Sequence, residues 1–179
     1  TADNNITIKI GVLINATGGG GITRSAGGAV NFGTASGALT ATGVQTTTGN
    51  VSITSAGNIT LWGEVGPTTG NITTTSGSIS LNSTAGAIRD GNNDTAGTGN
   101  DGQAIITTSG PVSLTAGGGG TTAGAIGTGA TSATTDLDIT GVTNLTVNAT
   151  GNINISQNDG TNYANLNITL NPTTGAFSG

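Results

Sequence analysis

The side chains best spaced to bind an ion lie just after the middle of the chain. Oxygen-bearing residues occupy positions 1, 3, 5 and 12 of an EF-hand-like loop, the positions that donate ligands to Ca²⁺: Asp90, Asn92, Asp94 and Asp101. Thr95 stands where that loop has Gly, the last ligand is Asp where it has Glu, and no helix pattern flanks the segment. A plain surface loop rich in turn residues has the same composition. We therefore treat the four residues as a candidate calcium loop, with calcium the one cofactor to test.

Catalytic chemistry has few candidates. The chain has no His and no Cys, which removes the commonest general base and the thiol nucleophile. Asp136 and Asp138 are two residues apart on a predicted strand and so share a face, as the acids of a polysaccharide-cleaving groove would. An exposed acidic pair is more often a solubilising feature of a surface. We expect no enzyme, and keep a polysaccharide-active enzyme as an alternative.

Asn-X-Ser/Thr sequons recur along the chain and make a third kind of candidate site. The candidate glycosylation positions are Asn58, Asn71, Asn144 and Asn167, because a sequon on an exposed face is accessible to modification. The alternative is structural: Asn-Ile-Thr would be the repeat unit itself, with Asn at a turn and Thr facing outward. We favour the structural interpretation.

Charge and hydropathy exclude several partners. Lys9, Arg24 and Arg89 are the only cations, and the net charge is −5. A nucleic-acid interface requires a basic surface, so we expect no nucleic acid. No apolar run reaches the length of a membrane helix, so we expect no membrane insertion. Gly-rich, charge-poor composition also fits disorder, but regular alternation of Ile, Val and Leu favours strands.

The elements that would position these side chains follow from a repeat. Gly-Asn-Ile-Thr-Leu at 57–61 is answered by Gly-Ser-Ile-Ser-Leu at 77–81, twenty residues later. A fixed period of this length is typical of repeat architectures. We predict an all-β parallel β-solenoid with coils of about 20–22 residues and essentially no helix, in which Ile59 stacks on Ile79 and Leu61 on Leu81.

One polar interruption divides the repeat. Residues 89–104 are poor in apolar side chains and are predicted to be a loop insertion, after which the pattern restarts at Ile105. The segment Thr-Ala-Gly-Ala-Ile at 84–88 returns unchanged at 122–126. We predict one domain over 1–179 with eight or nine coils, roughly 40 Å long at the usual strand spacing. Solenoid ends need a cover, so we expect a segment of a longer chain or one protomer of a fibre.

In repeat texture the chain resembles the filamentous haemagglutinin-like exoproteins, adhesins of the two-partner secretion route. The Gly-Asn-Ile-Thr-Leu units and the paired Thr-Ala-Gly-Ala-Ile segments carry this resemblance. It implies a right-handed parallel β-helix, an extracellular or cell-surface location and a structural or adhesive role. The partners expected are further coils or other copies end to end, and a host-cell, matrix or carbohydrate surface. The alternatives are a calcium-dependent or carbohydrate-binding module, and an ice-binding solenoid suggested by the Thr clusters at 46–48, 73–75 and 107–108.

Overall fold

In the computed structural model the described part of the chain consists of β-strands, turns and bends. The described residues are 6–8, 13–16, 22–26, 30–32, 43–46, 48–61, 72–90, 105–117, 124–127, 136–157, 162–170 and 177–178. No helix occurs within these ranges. The all-β prediction is confirmed for them.

Seventeen short strands make up the described secondary structure. In chain order they are β1 (Ile6–Ile8), β2 (Leu13–Ala16), β3 (Ile22–Ala26), β4 (Val30–Phe32), β5 (Gly43–Thr46), β6 (Val51–Ser55), β7 (Ile59–Leu61), β8 (Ile72–Thr74), β9 (Ile79–Ser83), β10 (Ile88–Asp90), β11 (Ile105–Thr107), β12 (Val112–Ala116), β13 (Leu137–Thr140), β14 (Asn144–Ala149), β15 (Ile153–Ser156), β16 (Asn165–Leu170) and β17 (Phe177–Ser178).

The strands pair in parallel and form three sheets. The four-stranded sheet has the order β1-β4-β7-β10, the six-stranded sheet β16-β14-β12-β9-β6-β3, and the seven-stranded sheet β17-β15-β13-β11-β8-β5-β2. From β1 to β12, successive strands enter the four-, seven- and six-stranded sheets in turn, so each strand pairs with the third strand along. Beyond β10, Ile126 continues the four-stranded sheet through single bridges to Ile88 and Ile153.

The strand register corrects the predicted period. Ile59 pairs with Ile88, 29 residues on, and not with Ile79. Ile79 pairs with Val51 and Val112, at separations of 28 and 33 residues. The twenty-residue repeat relates β7 to β9, which are two strands apart in the chain and lie in different sheets. The sequence period is therefore shorter than the separation of paired strands. The predicted Ile59–Ile79 and Leu61–Leu81 stacks are therefore wrong. Near the end of the chain a period of 21 does occur, where Leu145 pairs with Leu166.

The core consists of apolar columns that run across the paired strands. Alternation along each strand sends every second residue to the same face, and the six-stranded sheet shows this as alternating buried and half-buried residues in β6, β9 and β12. Two columns line its buried face, and all their members are at most 3% exposed: Val51, Ile79, Val112 and Leu145, and Ile53, Leu81, Leu114 and Val147. Each such side chain contributes roughly 1.5–3 kcal/mol by burial.

The first two residues of the predicted insertion belong to a strand. Arg89 and Asp90 belong to β10 and pair with Thr60 and Leu61 of β7. Residues 91–104 lie outside the described ranges. The pattern restarts at β11 as predicted, and Ile106 pairs with Ile72 of β8. The repeated pentapeptides also correspond, since Ile88 bridges Ile126.

Candidate functional surfaces

Buried threonine hydroxyls join stacked turns between the seven-stranded and six-stranded sheets. Thr74 Oγ1 donates to the carbonyl oxygen of Gly49 at 3.2 Å and accepts from the amide of Gly77 at 3.1 Å. Thr108 repeats this arrangement with the carbonyl oxygen of Gly77 and the amide of Gly110, both at 2.8 Å. The two threonines are 1% and 2% exposed. Each hydroxyl therefore bonds one carbonyl and one amide of the backbone, as buried polar groups generally require.

Glycine is required at these turns by the close approach of the stacked backbones. A Cβ atom on Gly77 would collide with the carbonyl oxygen of Gly49, and one on Gly110 with the carbonyl oxygen of Gly77. Neither contact involves a flexible side chain that could move aside. Neither Gly77 nor Gly110 has a positive φ, so packing between the turns, and not turn conformation, is what requires Gly here.

Thr74 and Thr108 belong to the clusters that suggested an ice-binding face. Their burial removes both from any solvent-facing array. A signal for this was present in the sequence, since a Gly follows each threonine by two or three residues. That spacing closes a short side-chain-to-backbone turn.

Asparagine side chains of the repeat bond to the next turn. Asn50 Oδ1 accepts a hydrogen bond from the amide of Ser78 at 2.9 Å. Asn58 Oδ1 accepts from the amide of Ala87, also at 2.9 Å. These bonds support the structural interpretation of Asn58. The associated expectation that Thr faces outward fails at Thr60, which is 6% exposed although it lies on the opposite face from Ile59 and Leu61.

The other candidate glycosylation positions differ in their surroundings. Asn144 is half-buried, donates to Thr143 Oγ1 at 3.0 Å and accepts from Asn165 Nδ2 at 2.7 Å. Asn167 is exposed on β16. Asn71 lies outside the described residues. Asn167 is therefore the most accessible of the candidate sequons whose position is described.

Asp136 and Asp138 are not the exposed pair that the sequence suggested. They are 9% and 4% exposed, and the neighbouring Leu137 and Ile139 are also buried. Strand β13 is thus covered on both faces, and the prediction of an exposed acidic wall is wrong. The alternation of β13 indicated one inner face correctly, but alternation does not show whether the other face is covered.

The candidate calcium loop falls almost wholly beyond the described residues. Asp90 is placed in β10, where it pairs with Leu61. Asn92, Asp94 and Asp101 lie in the segment 91–104, which is not described. Across the described ranges no group of three or more His, Cys, Asp or Glu residues could hold a metal ion. The calcium loop stays a prediction.

The outer face of the six-stranded sheet is uncharged and regular. Residues in register across its strands form two rows of hydroxyl and amide side chains, half-buried or exposed: Ser52, Ser80, Ser113, Thr146 and Asn167, and Thr54, Asn82, Thr115, Asn148 and Thr169. None of the ten is ionisable. Strand spacing places members of one row about 4.8 Å apart.

The part of the chain that the structure describes contains no helix that could span a membrane. A scan of family models gave no match to the chain, and neither did searches of curated proteins and of solved structures.

Proposed function

We propose that the chain is a parallel β-solenoid that serves as a structural or adhesive segment of an exported cell-surface or filament protein and has no catalytic role. The observation that carries this proposal is the register. Equivalent residues pair strand after strand, as in the column of Ile53, Leu81, Leu114 and Val147. A right-handed coil is the expected form, because parallel crossovers in one sheet are right-handed in about 98% of cases.

The use made of polar groups supports a structural role. The buried hydroxyls of Thr74 and Thr108 and the amides of Asn50 and Asn58 are engaged in bonds between turns. Residues of this kind line substrate sites in enzymes, whereas here they satisfy backbone groups. Polar side chains that hydrogen-bond one turn to the next are expected in a stiff supporting element.

An adhesive contact would use the outer face of the six-stranded sheet. Its two rows of hydroxyl and amide groups suit a neutral partner such as a carbohydrate or matrix surface, because they offer hydrogen bonds without charge. An anionic partner such as nucleic acid would find no cation there. A carbohydrate-binding surface module therefore remains the second candidate.

Export can be tested on intact cells of the source organism. Antibodies raised against the purified chain are expected to label the cell surface or isolated filaments without permeabilisation. The control is labelling of a cytoplasmic protein, which should require lysis. Labelling of the chain that appears after lysis alone would overturn the proposal of an exported segment.

A further inference from the structure

The polar side chains on the outer face of the six-stranded sheet take no part in the bonds that join the turns. We call the members of the two rows that lie on β6, β9, β12 and β14 the polar strip. All of them are half-buried, and within the described ranges none takes part in a side-chain hydrogen bond. Hydroxyl and amide groups held in register in this way are open to hydrogen bonds with another molecule.

The side chains on either side of the strip are, in contrast, bonded to neighbouring turns. Two residues before the strip on β6, Asn50 Oδ1 accepts a hydrogen bond from the amide of Ser78 at 2.9 Å. Two residues after the strip on β9, Thr84 Oγ1 donates to the carbonyl oxygen of Ser55 at 3.3 Å. The strip is therefore two side chains wide, and its edges are set by residues with a structural task.

The shape of the strip suits a linear molecule. The two rows lie roughly 7 Å apart along the strands, and the four strands span roughly 14 Å in the direction of the stack. A stable protein interface buries about 800 Å² on each partner, which is several times the area of the strip. A linear polymer that crosses the strands would instead meet one pair of polar side chains on each strand.

The chemistry of the strip suits a neutral glycan. Its first row offers a hydroxyl group on every strand: Ser52, Ser80, Ser113 and Thr146. Hydroxyl and amide side chains both donate and accept hydrogen bonds, as the hydroxyls of a sugar do. The strip carries no cation, so a carboxylate or sulfate group placed on it would lose hydration without an ion pair in return. Among linear polymers an uncharged polysaccharide is therefore the complementary class.

The second row indicates how the sugars of this glycan are linked. It alternates hydroxyl and amide from strand to strand, in the order Thr54, Asn82, Thr115, Asn148 and Thr169. The same group therefore returns at every second strand, a distance of about 9.6 Å. In an extended β-1,4-linked glycan each sugar is turned over relative to the next, so the same hydroxyls return at every second unit. One sugar on each strand brings the two repeats into step.

We propose that the polar strip binds a neutral β-1,4-linked glycan that crosses the strands with one sugar on each. This proposal deepens the proposed function and rests on it for the use of this face in an adhesive contact. The strip has no aromatic side chain on which a sugar ring could stack, so binding depends on repeated hydrogen bonds. Affinity should therefore increase with the length of the glycan until the strip is filled.

Calorimetric titration of the 179-residue chain with soluble oligosaccharides measures this binding. Cellotetraose fills the four strands and should bind at least about tenfold more tightly than cellobiose, because it makes about twice as many hydrogen bonds. Maltotetraose is the matched control ligand, since it contains the same sugar in α-1,4 linkage and lacks the two-unit repeat. It should bind about tenfold more weakly than cellotetraose, because fewer of its hydroxyls meet a partner. Equal affinities for the two tetrasaccharides, or no binding of cellotetraose, would overturn the proposal.

The Thr115→Val variant tests whether the strip is the site. It removes one hydroxyl from the middle of the strip, and binding of cellotetraose should weaken about threefold to tenfold, as expected for one hydrogen bond. Thr115→Ser keeps the hydroxyl and should retain binding. Thr75→Val is the matched control, since Thr75 is exposed at the turn between β8 and β9, and should leave the affinity unchanged. Equal weakening by Thr115→Val and Thr75→Val would place the binding site elsewhere.

Other occupants of the strip would give different results. Polygalacturonate that binds as tightly as a neutral glycan of equal length would show that charge is not discriminated. Thermal hysteresis of freezing in a solution of the chain, without binding of cellotetraose, would assign the strip to ice. Either result would overturn the proposal.

The glycan site and the proposed function can fail separately. Surface labelling of intact cells together with no binding of cellotetraose rejects only the glycan site. Binding of cellotetraose by a chain that antibodies reach after lysis alone rejects the exported segment and leaves the site in place.

Discussion

At the scale of the residue, small polar side chains hold the turns of this protein together. Thr74 and Thr108 each satisfy one amide and one carbonyl from different turns. Gly77 and Gly110 allow the backbones to approach closely enough for these bonds. Thr and Gly thus connect the turns, beside the Ile and Leu that fill the core.

Replacing Thr108 by Val tests this role with little change in shape. The variant loses the bonds to the carbonyl of Gly77 and the amide of Gly110 and leaves both groups buried without that partner. We expect the free energy of unfolding to fall by about 1–3 kcal/mol. Thr115→Val, a half-buried position on the outer face of β12, is the control and should change stability by less than about 0.5 kcal/mol. Equal losses in urea denaturation of the two variants would contradict the argument.

At the scale of the element, each short strand is stable through its neighbours in the sheet. Strands of three to six residues such as β7 and β14 would not persist alone in water. Parallel pairing on two sides and a covered apolar face supply what the local sequence lacks. The segment between β10 and β11 has no such repeat pattern, and its chemistry is open to a direct test.

The calcium hypothesis predicts ligand-linked stabilisation of the protein. If residues 90–101 bind Ca²⁺, saturating calcium should raise the melting temperature. At a hundredfold excess of Ca²⁺ over Kd, the free energy of unfolding should increase by about 2.7 kcal/mol. Asp94→Ala and Asp101→Ala should remove this increase, whereas Asp3→Ala should retain it. The measurement is thermal unfolding with Ca²⁺, Mg²⁺ or chelator. A melting temperature unchanged by Ca²⁺ would reject the site.

At the scale of the whole molecule, the strand register lengthens the repeat that the sequence indicated. Strands that pair in one sheet are 29 residues apart at β7, since Ile59 pairs with Val30 and with Ile88, where the sequence period indicated about 20. A longer repeat allows fewer strands in each sheet, and the largest sheet has seven strands among the described residues.

Stability should vary along the stack because each layer contacts only its neighbours. We expect the slowest amide hydrogen exchange in β9 and β12, which lie in the middle of the six-stranded sheet. Exchange should be fastest in β3 and β16 at its two ends, where opening breaks one interface instead of two. Mass-spectrometric exchange at several times measures this directly. Uniform protection across the sheet would contradict a layered stack.

The sequence by itself determined the strand content and the core positions. Alternation placed Ile59 and Leu61 on one face, and both are buried. The last residues of the two identical pentapeptides, Ile88 and Ile126, are joined by a parallel bridge. These features depend on local periodicity, which a single chain segment carries.

Only the tertiary structure decided which strands are neighbours and which second faces are covered. Gly-Asn precedes β6, β7 and β8, one strand of each sheet, so the sequence period could not separate a step of two strands from the step of three that joins paired strands. The burial of Thr60 and Asp138 does not follow from their own strands, because alternation marks one apolar face and does not show whether the other face is covered. The same alternation marks both Leu145 and Leu166, which are 3% and 49% exposed.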